Sequence, residues 1–372
     1  MGFLIAVVTR HDVKLRGMKS VLITGGCGFI GSNLAVAFRA RGAEVTVFDN
    51  LSRHGSEHLM RRVVEHGARF VRGDIREPEN LRGVEGAFDL MIEASAEPSV
   101  LVGTKGGDAK FMVENNLVGS LHCFEWARER RVPVVFLSTS RVYPYERIDG
   151  LRFVEGETRF EVWGSGRGYS ERGLDLEFPM EGARSLYGAT KWASEILLQE
   201  YARQYDLPAL INRCGVIAGP WQLGKVDQGV FTYWLVRHMA GKGLSYIGYG
   251  GTGKQVRDVL HVDDLVRLVL MQAERMGEFR GEVFPVGGSR EVSLSLRETT
   301  GLCREITGRE VEVVALMEPR PADVKWMMMD TGRTQEVFGW KPEHDARGIL
   351  ETTYRWLEAN PEARELLGGS GR

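Results

Sequence analysis

Val21-Leu22-Ile23-Thr24-Gly25-Gly26-Cys27-Gly28-Phe29-Ile30-Gly31 is an apolar run that breaks into glycines and reopens as a helical pattern reaching about residue 41. Strand, glycine turn and helix in that order are the dinucleotide-binding pattern. Gly25 permits a tight turn, Gly28 lets the backbone approach a pyrophosphate, and Gly31 lets the helix pack closely on the strand. The free N–H groups where the helix opens, around Phe29 and Ile30, then receive the pyrophosphate, because a helix N-terminus is an anion site.

Outward from that turn, short apolar runs alternate with amphipathic stretches. The runs are Val21–Thr24, Glu44–Phe48, Arg69–Val71, Asp89–Ala94, Val134–Ser138 and Ala209–Asn212. Several are apolar on both faces, as expected of strands in a covered parallel sheet. Helical patterns lie at about 29–41, 56–66, 115–131 and 186–205, and Gly42 follows the first as a C-cap. The alternation predicts an α/β fold, a Rossmann-type doubly wound parallel sheet with helices on both faces. From about 241 to 290 the chain turns to glycine-rich turns and short elements, and Ser295 and Glu298 form a capping-box pattern before a helix that stops at Gly308. This half reads as a smaller C-terminal α/β substrate-binding lobe. The division expected is 18–190 for the dinucleotide domain, to which the strand near 209–212 returns, and 191–372 mainly for the substrate lobe.

The 372 residues suffice for two lobes. A net charge of −2 gives no basic face, which argues against a nucleic-acid partner. The four cysteines (Cys27, Cys123, Cys214, Cys303) show no CxxC or Cys/His spacing, so reduced thiols of a cytoplasmic protein are expected, with no metal site. Phe3 to Val8 is apolar but far too short to span a membrane, and it lacks the basic flank of a signal peptide. Met18-Lys19 directly precedes the first strand, so residues 1–17 are read as an extension outside the fold.

The chemistry gathers at strand ends. Asp49 ends the second strand about twenty residues after the glycine turn, where a carboxylate accepts hydrogen bonds from ribose hydroxyls and repels the extra phosphate of NADP. This favours NAD, although Arg53 and His54 close behind offset part of the repulsion. Asn50 follows Asp49. Asp74-Ile75 ends the third strand at the adenine position, and Ala94 ends the fourth. Tyr187-Gly188-Ala189-Thr190-Lys191 places a tyrosine and a lysine on one helix face. A free phenol has a pKa of about 10, and a nearby ammonium favours the phenolate. Ser138-Thr139-Ser140-Arg141 ends the fifth strand with hydroxyls at the edge where such sheets bind ligands.

Together these residues resemble the extended short-chain dehydrogenase/reductases of the nucleotide-sugar epimerase/dehydratase group, from Met18 to about Leu357. The resemblance is carried by the Thr24–Gly31 turn, Asp49-Asn50, Asn116-Leu117-Val118-Gly119, Ser138–Tyr143, Tyr187–Lys191, and the Arg257-Asp258 and Arg320 motifs. The longer runs Asp49–Arg53, Glu157-Thr158-Arg159, Asp227-Gln228-Gly229 and Gly253–His261 resemble the branch that inverts carbon 2 of the sugar. The resemblance implies NAD as cofactor and a nucleotide-diphosphate sugar as substrate. It assigns catalysis to Thr139, Tyr187 and Lys191, adds Asn116 to the cofactor site, and gives substrate contacts to Ser140, Arg141, Gln228, Arg257 and Arg320. It further implies that the sugar is oxidised to a ketone and reduced from the other face, leaving the cofactor unchanged. A homodimer or dimer of dimers is implied, pairing helices 115–131 and 186–205 through Leu121, Phe124, Trp126, Trp192, Ile196 and Leu197. The chain departs from the group at Pro144, at Val216 and Ala218 where an asparagine and a tyrosine are usual, and in an insertion at Trp163–Leu176.

Three other readings are open. A 4-epimerase uses the same residues. A 4,6-dehydratase carries Asp-Glu directly after the catalytic threonine, where this chain has Ser140-Arg141. A non-catalytic NAD(P) sensor needs only the glycine turn, and the intact Tyr187 and Lys191 weigh against it.

Overall fold

The computed structural model describes residues 17–102, 108–223 and 229–368; residues 1–16 of the expected extension, and Gln228, lie outside them. Seven strands form one sheet: β1 (Ser20–Thr24), β2 (Glu44–Asp49), β3 (Arg69–Arg72), β4 (Leu90–Glu93), β5 (Val134–Thr139), β6 (Ala209–Cys214) and β7 (Arg280–Val286). Their order is β7-β6-β5-β4-β1-β2-β3, and every neighbouring pair is parallel. The order reverses between β1 and β4, which opens the crevice where such sheets take ligands.

The alternation of side chains along each strand fills both faces. Val21 and Ile23 of β1 join one apolar cluster with Leu34 and Phe38 of α1 (Phe29–Ala40), whereas Leu22 joins the other. In β5, Val135 and Leu137 face the first cluster, and Val134 and Phe136 face the second. That second cluster includes Phe124 of α2 (Gly119–Arg130) and Leu198 of α3 (Leu186–Gln204). Each such side chain taken out of water contributes about 1.5–3 kcal/mol.

Two expectations are corrected here. Residues 280–286, assigned to the smaller lobe, form the edge strand β7 of the main sheet. Val283-Phe284-Pro285-Val286 is buried throughout, and Pro285 is tolerated because it sits on an edge. The division at 190/191 also falls inside α3, the helix that carries both Tyr187 and Lys191.

The smaller lobe contains a second sheet built from Val216–Ala218, Val256–His261, Ser293–Ser295 and Trp326–Met327. The capping box forms as expected: Glu298 N donates to Ser295 Oγ at 3.0 Å, and Ser295 N donates to Glu298 Oε2 at 2.9 Å. The insertion folds into a short hairpin, Tyr169–Ser170 against Gly173–Leu174, tied both to this lobe and to the segment after β5. Leu174 N donates to Met328 O at 2.8 Å, and Tyr143 Oη donates to Asp175 O at 2.9 Å. No helix among the described residues is long and apolar enough to cross a membrane.

One buried ion pair fixes the main sheet against α3. Glu195 accepts Arg213 Nη2 at 2.7 Å and Arg213 Nε at 2.9 Å, and it also accepts Ser138 Oγ at 2.5 Å. The two side chains are 1% and 8% exposed, so removing one partner strands a charge away from water. Glu195→Ala should therefore destabilise the protein by about 3–5 kcal/mol in urea unfolding. A loss below about 1 kcal/mol would match an exposed pair instead and contradict this reading.

Candidate active site

The C-terminal ends of β1, β2, β4, β5 and β6 border one cleft of about 600 Å³. At the dinucleotide side its lining includes Gly25, Gly28, Phe29, Ile30, Gly31, Asp49, Asn50, Ile75 and Ala94. Thr139, Ser140, Arg141, Tyr187 and the stretch Cys214–Ile217 line the same cleft.

The glycine turn is shaped by close approach. Gly25 has φ +63°, and a Cβ there would lie 2.7 Å from Ala94 O. A Cβ on Gly31 would lie 2.3 Å from Gly25 O. The turn is thus a cradle that side chains would fill, and it fits a dinucleotide pyrophosphate. Asp49 accepts Cys27 N at 3.0 Å and Leu51 N at 2.8 Å, so it braces the turn while its carboxylate faces the cleft. Burial raises its pKa above the usual carboxylate range, against those two hydrogen bonds.

Not every expected residue reaches the cleft wall. Asp74 stands behind Asn50, whose Nδ2 donates to it at 2.9 Å, and it takes Arg76 Nη2 at 2.7 Å. Burial would raise this carboxyl, but the bonds from Arg76 and Asn50 hold it at about 2. Asn116 is fully buried and acts on the cleft at one remove. Its Oδ1 accepts Glu97 N at 2.8 Å and its Nδ2 donates to Glu97 O at 3.0 Å, fixing the loop after β4.

The catalytic candidates meet because a helix start packs on a strand end. Ser185 caps α3 by accepting Gly188 N at 3.1 Å. A Cβ on Gly188 would lie 2.0 Å from Arg141 O, so only glycine lets the turn after β5 sit against this helix. Tyr187 then stands within hydrogen-bond reach of Thr139. Burial pushes the Tyr187 phenol up to about 12; the bond to Thr139 lowers it, as does the positive charge of Arg141. This differs from the expectation that Lys191 acidifies the phenol. The Lys191 ammonium is buried beneath the cleft, 3.6 Å from Glu93 and 3.9 Å over the Phe136 ring.

Arg141 reaches across the cleft floor and donates to Ala322 O at 3.2 Å. Arg257, close enough to Arg141 for their charges to repel, pairs with Asp323. Arg320 is not brought to the cleft. It lies on an exposed loop between Pro319 and Pro321, and its carbonyl accepts Asp323 N. Sequence reasoning missed Glu93, Glu97 and the trio Ser138, Glu195 and Arg213. The one signal for Glu93 was a lone acid closing the apolar run Leu90–Ile92.

All four cysteines are free and buried. Away from the cleft, His261, Asp263 and His344 hold donor atoms within 4.8 Å of one another. The two imidazoles are stacked at 4.0 Å and 16°, so their in-plane lone pairs run side by side instead of converging on an ion. Their Nδ1 atoms are already taken, by Asp263 N in His261 and by Asp264 in His344.

The NAD dependent epimerase/dehydratase family matches residues 21–287, and the chain belongs to it. It is accordingly an NAD-dependent enzyme of nucleotide-sugar epimerase/dehydratase type. Its relatives include the CDP-paratose 2-epimerase of Salmonella typhi, 29% identical over 91% of this chain and 99% of that protein. The dTDP-glucose 4,6-dehydratase of Xanthomonas campestris pv. campestris is 27% identical over 95% of this chain and 98% of that one. Among solved structures, the UDP-glucose 4-epimerase of Thermotoga maritima with UDP-glucose is 25% identical, with a TM-score of 0.76 over 92% of this chain and 99% of its own. The UDP-glucose 4-epimerase of Thermus thermophilus in complex with NAD has 26% identity and a TM-score of 0.74, over 91% and 99% of the two chains.

The contact at Gly31 gives a direct test of the cradle. Gly31→Ala should cost about 1–3 kcal/mol through overpacking against the Gly25 carbonyl. It should also weaken NAD binding in fluorescence titration. A variant with wild-type stability and NAD affinity would show that the turn has room to spare.

Proposed function

We propose that this enzyme inverts one hydroxyl-bearing carbon of a nucleotide-diphosphate hexose, in the manner of the CDP-paratose (CDP-tyvelose) 2-epimerases. The observation that carries the reading is the meeting of Thr139, Arg141 and Tyr187 in the cleft that also holds the glycine turn and Asp49. NAD, when bound, supplies the hydride acceptor and donor that take the sugar carbon to a ketone and back. Gly25, Gly28, Gly31 and the N-terminus of α1 hold its pyrophosphate, and Asp49 its adenine-side ribose. Tyr187 Oη, as the phenolate that the Thr139 bond and the Arg141 charge favour, takes the proton of the sugar hydroxyl and later returns it. Thr139 holds the reacting oxygen against the phenol, and Lys191 fixes the nicotinamide-side ribose. Arg257, beside Arg141, is the proposed anchor of the substrate diphosphate; Arg320 has no part in this assignment because it is exposed.

Arg141 also separates epimerisation from dehydration. Dehydration needs an acid and a base beside the sugar, and neither Ser140 nor Arg141 has a carboxyl group to offer. A guanidinium keeps its proton throughout the working pH range. A 4-epimerase is the second reading, supported by the likeness to the Thermotoga maritima enzyme. The two readings share every residue above and differ only in how the sugar sits.

Incubation with NAD and either CDP-paratose or UDP-glucose should yield an isomer of equal mass. The inverted carbon should be free of deuterium when the reaction runs in deuterated water. A stable keto sugar lighter by one water would identify a dehydratase, and no product from any nucleotide sugar would leave only a sensor. Proton transfer by a placed group is worth about 10²–10⁴ in rate, so Tyr187→Phe should lose at least about 10²-fold in kcat while keeping fold and NAD affinity. Thr139→Val should lose less.

The enzyme is further proposed to be a homodimer or a dimer of dimers. The expected contact set is corrected by the fold: Phe124 and Trp126 are 0% and 3% exposed and belong to the protein's own core. Leu121, Trp192 and Leu197 are half-buried and Ile196 is 45% exposed, which leaves these four for a partner. Light scattering at micromolar concentration should give at least twice the chain mass, and Ile196→Arg should shift it to the monomer. A monomeric wild-type protein would remove the assignment.

A further inference from the structure

Among the described residues, one carboxylate beside the Lys191 ammonium is available to pair with it. Glu93 closes β4, is 0% exposed, and brings Oε2 to 3.6 Å from Nζ. Its Oε1 accepts Ser95 N at 3.1 Å, and the Ser120 hydroxyl also lies within hydrogen-bond reach of the carboxylate. On its other side Nζ faces the Phe136 ring of β5 at 3.9 Å.

The remaining charged and titratable neighbours are accounted for element by element. On α3, Glu195 is one turn further along, but Arg213 and Ser138 already occupy its carboxylate. Tyr187 is one turn earlier and points into the cleft. Cys214 of β6 and Cys123 of α2 are thiols that burial keeps protonated. An ammonium so far from water would lose its proton without a compensating anion, and a carboxylate at the same depth would gain one without a cation.

We propose that Glu93 is a positioning residue of this enzyme: its buried carboxylate pairs with the Lys191 ammonium and keeps it charged and in place beneath the cleft. Lys191 then serves as a fixed donor, and Arg141, which lines the cleft, is the cation that acts on the phenol. The mutual influence has the sign of an ion pair, while burial sets the net direction for both groups. Burial lowers the Lys191 pKa, and Glu93 is the strongest opposing influence. Burial likewise raises Glu93, and Lys191 is the strongest influence against it. The role given to Lys191 rests on the mechanism proposed above, whereas its pairing with Glu93 does not.

The test reads Lys191 directly. In full-length protein labelled with ¹³C at lysine Cε, Lys191→Met identifies the Lys191 resonance. An opposite charge at this distance moves a pKa by about 1–3 units. In Glu93→Gln, which keeps shape and removes charge, the Lys191 resonance should therefore titrate lower by that amount. Glu93→Asp should fall between the two. An unchanged Lys191 titration in folded Glu93→Gln overturns the proposal whatever the activity. Should Glu93→Gln not fold, a Glu93→Asp titration identical to wild type overturns it equally. The alkaline limb of the kcat–pH profile should move down together with the resonance. A shifted resonance with an unmoved limb upholds the pairing and defeats instead the catalytic role given to Lys191.

Discussion

Glu195 ties together the three elements on which the site is hung. It sits on α3 and binds Arg213 of β6 and Ser138 of β5 in one buried network. Thr139 is the next residue after Ser138, and Cys214 the next after Arg213. Lys191 and Tyr187 lie one and two turns back along the helix. A slip of the helix by one turn would leave the Arg213 guanidinium without its carboxylate, at a depth where an unpaired charge is costly. Such a pair adds little net stability compared with an apolar core of the same volume. What it contributes is a single register, so that a hydroxyl at the end of a strand and a phenol at the start of a helix come within hydrogen-bond reach.

Around that anchor three charged pairs are matched. Glu195 faces Arg213, Glu93 faces Lys191, and Asp323 faces Arg257. Arg141 instead donates to a backbone carbonyl, that of Ala322, while its side chain lines the cleft. Its charge is therefore less compensated than the others. On the proposed mechanism, that charge lies where negative charge gathers on the phenol and on the sugar oxygen. A preorganised cation in a site poor in water acts more strongly than the same cation in bulk solvent.

The legible parts of the sequence were those whose causes are local. The glycine turn, the Ser295–Glu298 capping box and the Tyr187–Lys191 spacing each follow from a few adjacent residues, and the structure shows a tight turn, a capped helix and a shared helix face there. The doubly wound sheet followed from apolar runs that need no partner to be recognised. What stayed hidden depends on contacts far apart in the chain. β7 was lost among glycines, because only its pairing with β6 makes 280–286 a sheet strand. Phe124 and Trp126 were expected at a partner interface, yet α2 packs under the sheet and is covered by α3. Glu93 becomes meaningful only beside Lys191, 98 positions later in the numbering, since the acid and the ammonium are brought together by the sheet and not by the sequence.

The wall that follows β6 bears on the proposed epimerisation. Cys214, Gly215, Val216 and Ile217 line it, and the polar pair usual in the group, an asparagine and a tyrosine, is replaced by Val216 and Ala218. Gly215 itself is held close: a Cβ there would lie 2.5 Å from Asp258 Oδ1, so the wall cannot gain bulk without displacing the Arg257-Asp258 strand. A smooth, apolar, unyielding surface offers a sugar ring few hydrogen bonds on that side. An enzyme that must present first one face and then the other of the same carbon gains from such a surface. Every polar contact that held the ketone in its first orientation would have to be broken before the second, and each bond left unmade costs about 0.5–1.5 kcal/mol or more. On this reading, grip belongs to the diphosphate end, where Arg257 supplies charge-assisted bonds, and freedom belongs to the sugar end, where Val216 and Ala218 stand in place of the usual polar pair.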